Sequence, residues 1–216
     1  MSNKVKVWDV PTRLFHWTLL AMFIGMWLSA ENGQLQIHTK LGVAMLVLVV
    51  FRVLWGFVGS QTARFSDFFK PCQVKAYLRG EVSENQQPGH NPLGGLMVLA
   101  LLGALLVQLG LGLFAADVDS YTFDGPLAKL IDSSLAEQIT EWHELWFNLL
   151  LGLVGVHVLA IVAYRKLKNV NLVPPMITGS KTLAGEVKPL RFVSPWLALV
   201  VLAVAAVLVV GGLSLV

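Results

Sequence analysis

Five long apolar runs separated by polar stretches set the plan of the chain. They lie at about Leu14–Ala30, Leu35–Phe57, Pro92–Ala115, Glu141–Tyr164 and Pro195–Val216. Each is near the ~20 residues a helix needs to cross a bilayer. The first is preceded by a short basic arm and by Asp9-Val-Pro-Thr12, which reads as a helix start, since Pro suits a first turn and Asp or Thr can cap it. Glu31–Gln34 is a tight turn. The stretch from Ser60 to Asn91 is long and polar, and within it Ser66–Leu78 has the helical character and aromatic residues of an interfacial segment. The third run has no charged residue; Gln108 is its one strongly polar side chain, and Gly94, Gly95, Gly103, Gly110 and Gly112 allow close helix packing. Asp117–Glu141 is an acidic loop. The fourth run closes on Arg165-Lys-Leu-Lys168, and a polar segment containing Pro174-Pro175 leads to the fifth.

Composition turns these runs into membrane spans. Of the 216 residues, 56% are hydrophobic and 13% charged, with a mean hydropathy of +0.68, against about 25% charged in soluble domains. One cysteine, Cys72, excludes an internal disulfide and any multi-cysteine metal cluster. The basic start and Leu28-Ser29-Ala30 also fit a signal peptide, a pattern that His16 and three nearby tryptophans suit poorly. Lys and Arg collect on the cytoplasmic side. With the N-terminus cytoplasmic, 14 of the 16 basic residues fall inside and only Lys40 and Lys129 outside, while the outer side takes Glu31, Asp117, Asp119, Asp124, Asp132, Glu137, Glu141 and Glu144. The pattern predicts five membrane spans, N-terminus in and C-terminus out.

The histidines give the spans a chemistry. His143 and His157 share the fourth run, 14 residues apart, which is roughly 21 Å along a helix and roughly 40° short of four full turns. Both therefore leave nearly the same face, one in each leaflet. By depth, His16 joins His157 near the inner side and His38 joins His143 near the outer side. Facing imidazoles from two helices of a bundle are a standard way to hold a haem iron, and with both axial positions filled such a haem carries electrons and binds no oxygen. A lone histidine in a membrane helix is more often a packing or proton-relay residue; four at matched depths favour haem. Gly42, Gly152 and Gly155 leave room for a flat macrocycle, although membrane helices also use Gly simply to pack.

Three further positions have two readings each. His90, in Gly89-His-Asn-Pro92, is either an interfacial cap or a hydrogen-bond partner of a haem propionate or quinone. Arg52 and Arg13 read by default as snorkelling side chains, and Arg52, one turn inside its span, also suits a propionate. The seven tryptophans, near span ends, read as an aromatic belt.

The chain resembles the bacterial cytochrome b561 and nickel–iron-hydrogenase-type cytochrome b group. The resemblance rests on Val7-Trp-Asp-Val-Pro-Thr-Arg-Leu-Phe-His-Trp17, on His38 with Gly42, and on Phe51-Arg-Val-Leu-Trp-Gly-Phe-Val-Gly59 running into Ala63-Arg-Phe65. Gly89-His-Asn-Pro-Leu-Gly94, the two histidines of span four and Pro175-Met-Ile-Thr-Gly179 complete it. It implies an all-α, integral membrane four-helix haem-binding bundle over residues 1–180, with two non-covalent b-type haems ligated by His16, His38, His143 and His157. Residues 181–216, a basic linker and a fifth transmembrane helix, lie outside it and could anchor a partner or a second copy in a homodimer.

By that resemblance the function is electron transfer between membrane quinone and a periplasmic redox partner such as a c-type cytochrome or a hydrogenase. The absence of C-x-x-C-H excludes the usual thioether attachment of haem. Two other classes remain open. One is an enzyme oxidising superoxide and reducing quinone, which the acidic outer loop disfavours for an anionic substrate. The other is a transporter using histidines as proton relays, which would be colourless. Beyond lipid, quinone and a redox protein, the pattern calls for no nucleic acid.

Overall fold

The computed structural model describes residues 2–81, 88–117, 123–184 and 189–215. Asp119 and Lys188, both counted in the charge pattern, lie outside them. Among the described residues the elements are strand β1 (Ser2–Lys6), α1 (Val10–Glu31), α2 (Leu35–Val58), short α3 (Phe65–Phe68) and α4 (Val74–Leu78), α5 (Pro92–Phe114), α6 (Ser133–Leu167), α7 (Val173–Thr178), β2 (Ser180–Ala184) and α8, which runs from Pro195 through a π turn at Val207–Gly211 to Ser214. Helices α1, α2, α5, α6 and α8 are each long and apolar enough to cross a membrane. The five expected spans are present, and the protein is a multi-pass helical membrane protein.

Three elements differ from expectation. Helix α6 starts at Ser133, well inside the segment read as an acidic loop. Its first two turns are anchored to that loop at two points: Ala136 forms a small core with Ala116, Ala128 and Ile131, and the Thr140 hydroxyl accepts from the Ala116 N–H and lies 3.0 Å from the Ala116 carbonyl. The interfacial helix over 66–78 is broken into α3 and α4, because Pro71 opens a new turn. The third difference is a two-stranded antiparallel sheet joining β1 to β2, Ser2 opposite Ala184 and Lys6 opposite Ser180, in a chain read as wholly helical.

The chain forms two compact units. One contains Met1–His16, Arg52–Ala100 and Gly155–Val201; the other contains Trp17–Phe51, Leu101–Val154 and Leu202–Val216.

In the first unit the motifs that carry the resemblance interlock. Asp9 caps α1, its Oδ1 accepting from the Thr12 N–H at 2.8 Å. Gly179 adopts φ +82°, and its carbonyl accepts from the N–H groups of Val7 (2.8 Å) and Trp8 (3.0 Å). A Cβ at Gly179 would stand 2.9 Å from the Trp8 carbonyl oxygen, so Gly is required both by the left-handed turn and by the close approach. Arg13 donates to the Ile177 carbonyl, tying the same two stretches together. The Phe65 ring lies on Gly56, where a Cβ would come within 2.1 Å of it, which accounts for the pairing of Trp-Gly-Phe-Val-Gly with Ala-Arg-Phe.

In the second unit α1 ends at a Gly33 turn with φ +65°. The Gln34 N–H donates to the Ser29 carbonyl there, closing the helix and turning the chain straight into α2. The 115–132 connection is held by Gly125, where a Cβ would sit 2.6–2.8 Å from the carbonyl oxygens of Leu113, Ala115 and Gly112.

Candidate functional site

The second unit holds a cavity of about 1020 Å³, at the upper end of the range for small-molecule sites. His38 of α2 and His143 of α6 both line it, with Phe23, Gly42, Gly112 and Phe147. The two imidazole centres are 6.2 Å apart, with the rings nearly perpendicular at 81°. A metal held at about 2 Å from one nitrogen of each ring sets the ring centres roughly 6 Å apart. The separation therefore fits one ion between the two rings.

Each imidazole is oriented by a neighbouring helix. The Nδ1 of His38 is 2.9 Å from the Met26 carbonyl and 3.4 Å from the Ser29 hydroxyl. The Nδ1 of His143 is 3.0 Å from the Gln108 carbonyl. A carbonyl only accepts, so both Nδ1 atoms carry the proton and both Nε2 atoms keep the lone pair a metal needs. This is the usual support of a metal-binding histidine. The ring of His143 lies against Gly112, where a Cβ would be 2.9 Å from its Cε1. That glycine was read as a packing residue, and its task is to admit this imidazole. No group of three or more His, Cys, Asp or Glu that could hold a metal occurs among the described residues. A metal between these two imidazoles would have to take its remaining ligands from another source, as a macrocycle supplies.

The first unit gathers His16, His157, His90 and Arg52. His16 and His157 are each half-buried and close enough for one ring to act electrostatically on the other. Gly155, beside His157, faces open space within 4 Å of a built Cβ. His90 is not a cap. Asn91 takes that role, its Oδ1 accepting from the Gly94 N–H at 2.8 Å. The His90 ring is instead clamped between Trp8 and Phe68, each with ring centres at 4.6 Å. Burial, then the Arg52 charge, push its pKa down to about 3, so the ring is neutral at physiological pH. Its Nδ1 is buried without a hydrogen-bond partner.

Arg52 does not snorkel. It is 2% exposed, with its Nη1 buried and unpartnered, and it lies over the Phe65 ring at 5.5 Å. Arg13 does not snorkel either, since it is engaged with Ile177. The exposure that an aromatic belt requires holds for Trp17, Trp27, Trp142 and Trp196. It does not hold for Trp55, which is 0% exposed and donates to Asp9 Oδ2 at 3.0 Å, or for Trp8, which packs on His90. Two residues went without a role in the sequence. One is Asp9, seen only as a cap. The other is Gln108, whose signal was its isolation in an otherwise apolar span.

Residues 7–179 match the family described as prokaryotic cytochrome b561. The probable Ni/Fe-hydrogenase B-type cytochrome subunit of Azotobacter vinelandii is 28% identical over 215 positions, covering 82% of this chain and 88% of that protein. The probable Ni/Fe-hydrogenase 1 B-type cytochrome subunit of Escherichia coli K12 is 22% identical, covering 82% and 90%. A probable Ni/Fe-hydrogenase B-type cytochrome subunit of Bradyrhizobium diazoefficiens is 23% identical, covering 82% and 85%. No solved structure matches. The match takes in α1, α2, α5 and α6 with all five histidines, and the chain belongs to the prokaryotic cytochrome b561 family of b-type electron-transfer cytochromes.

Proposed function

We propose that this chain carries electrons between the quinone pool and a redox protein on the outer face of a bacterial inner membrane. It does so through two non-covalent b haems, one held by His38 and His143 and one by His16 and His157. The observation that carries the reading is the 6.2 Å spacing of the His38 and His143 rings beside a cavity of about 1020 Å³. When bound, haem supplies a one-electron couple at each level. The chain's part would be to hold each iron between a pair of imidazoles and, at the His38–His143 level, to fix both rings through their Nδ1 atoms.

Arg52 and His90 suit different oxygens. The buried, unpartnered guanidinium nitrogen of Arg52 is a donor for a haem propionate. His90 is neutral, and its ring is hydrogen-bonded to the Thr62 backbone. Its orphan Nδ1 therefore suits an O–H donor, as a quinol is, better than a carboxylate.

The three relatives are named as hydrogenase cytochrome subunits, which makes a hydrogenase the leading outer partner. Glu31, Asp117, Glu137, Glu141 and Glu144 line the His38–His143 cavity. Such a rim favours a basic protein surface and repels superoxide, so no observation favours the superoxide-oxidising alternative. The positive-inside pattern supports an N-terminus in the cytoplasm. The test of the reading is a pyridine haemochrome assay on pure protein, expected to return about two b haems per chain. A ratio near one, or haem that survives acid–acetone extraction, overturns it.

A further inference from the structure

Gln108 brackets the imidazole of His143 on both sides. Its backbone carbonyl takes the Nδ1 at 3.0 Å. Its side-chain Nε2 stands 3.1 Å from the ring Nε2 and 3.1 Å from the His143 carbonyl. The residue is 8% exposed, and its Oε1 is buried without a partner.

The two carbonyls fix every proton in this cluster. The Gln108 carbonyl only accepts, so Nδ1 of His143 is protonated. The His143 carbonyl only accepts, so the amide turns its NH2, not its oxygen, toward the histidine. The ring Nε2 then holds the one lone pair of a neutral imidazole, and the amide N–H donates to it. That lone pair is the one an iron would need, and one lone pair cannot serve two partners.

We propose that Gln108 is a positioning residue that acts as a placeholder, its amide occupying the iron-binding lone pair of His143 until haem takes it. The inference rests on the reading that His143 ligates haem at this level. Loading the site is then a competition. The backbone carbonyl keeps the ring aimed throughout, while the side chain holds the unloaded form in the same geometry and yields on binding. The displaced amide stays buried, which weakens the loaded form further. An amide–imidazole bond of ordinary net strength corresponds to roughly a two- to tenfold handicap in haem affinity.

The experiment is equilibrium partition of haem between the purified, fully loaded protein in detergent and an excess of a soluble apo-haemoprotein. It is followed optically for each haem separately. Gln108→Leu is expected to raise retention of the His38–His143 haem roughly two- to tenfold and to leave the other haem unchanged. The low-spin EPR signal should also stay unchanged, because the Nδ1–carbonyl bond survives. A residue that merely packs would move retention the other way. Gln108→Asn, one methylene too short to reach the ring, should behave like Leu and decides the matter if the Leu variant fails to fold. Unchanged or weakened retention in whichever of these variants folds overturns the placeholder. A His143→Ala variant that keeps this haem overturns the ligand reading itself, and the placeholder with it.

Discussion

At the scale of single residues, Asp9 carries more than a helix cap. One carboxylate oxygen accepts from the Thr12 N–H and the other from the Trp55 indole, and the buried Arg52 charge lies within its electrostatic reach. Asp9→Ala leaves two buried donors without acceptors, at about 1–3 kcal/mol each, and leaves Arg52 without a nearby counter-charge. We expect a loss of at least about 2 kcal/mol, read as a lower melting temperature in detergent; a variant melting within about 2 °C of the parent would contradict this. Asp9→Asn keeps the cap but not the charge and should fall between the two. The sequence exposed the cap, because Asp before Pro is a local signal. It concealed the rest. Trp55 and Arg52 sit at the end of an apolar run, where belt and snorkel are the ordinary readings, and their burial depends on partners distant in the chain.

At the scale of elements, the apolar runs were legible and their ends were not. A span announces itself by length, whereas the α6 extension over Ser133–Thr140 is mostly polar and exposed and meets the loop through Ala136 and Thr140. The β1–β2 ladder was illegible for another reason: Asn-Lys-Val-Lys is too short to show a period, and its partner is nearly the whole chain away. The contact between Gly125 and the end of α5 is open to test by a single change. Gly125→Ala drives a Cβ against three carbonyl oxygens and should cost about 1–3 kcal/mol, by analogy with other overpacked sites. Gly103→Ala meets nothing within 4 Å and should be neutral or slightly stabilising, since Ala is the better helix former. Limited proteolysis of the 115–132 segment separates the two. Equal resistance in both variants would show that the loop gives way to the added methyl without cost.

At the scale of the molecule, the decisive question is whether the four histidines work as two pairs. The fourteen-residue step along α6 from His143 to His157 is roughly 21 Å, far beyond the couple of ångströms from an imidazole to its iron. One histidine therefore cannot serve the other's level. His143→Ala and His38→Ala should each empty the same site, and His16→Ala and His157→Ala should each empty the other. Difference spectra and redox titration of the four variants would distinguish the two proposed haems. His90→Ala belongs to the same experiment. It has no place in either pair, so both haems should remain while quinone turnover slows, because the orphan Nδ1 clamped between Trp8 and Phe68 is lost. A His90→Ala protein lacking one haem beside a His16→Ala protein keeping both would move the axial ligand from α1 to the start of α5. Should one alanine empty both sites, the matching His→Met variants tell ligation from folding. Met can still ligate iron, so it restores a haem lost through ligation and does not restore one lost because the bundle failed to assemble.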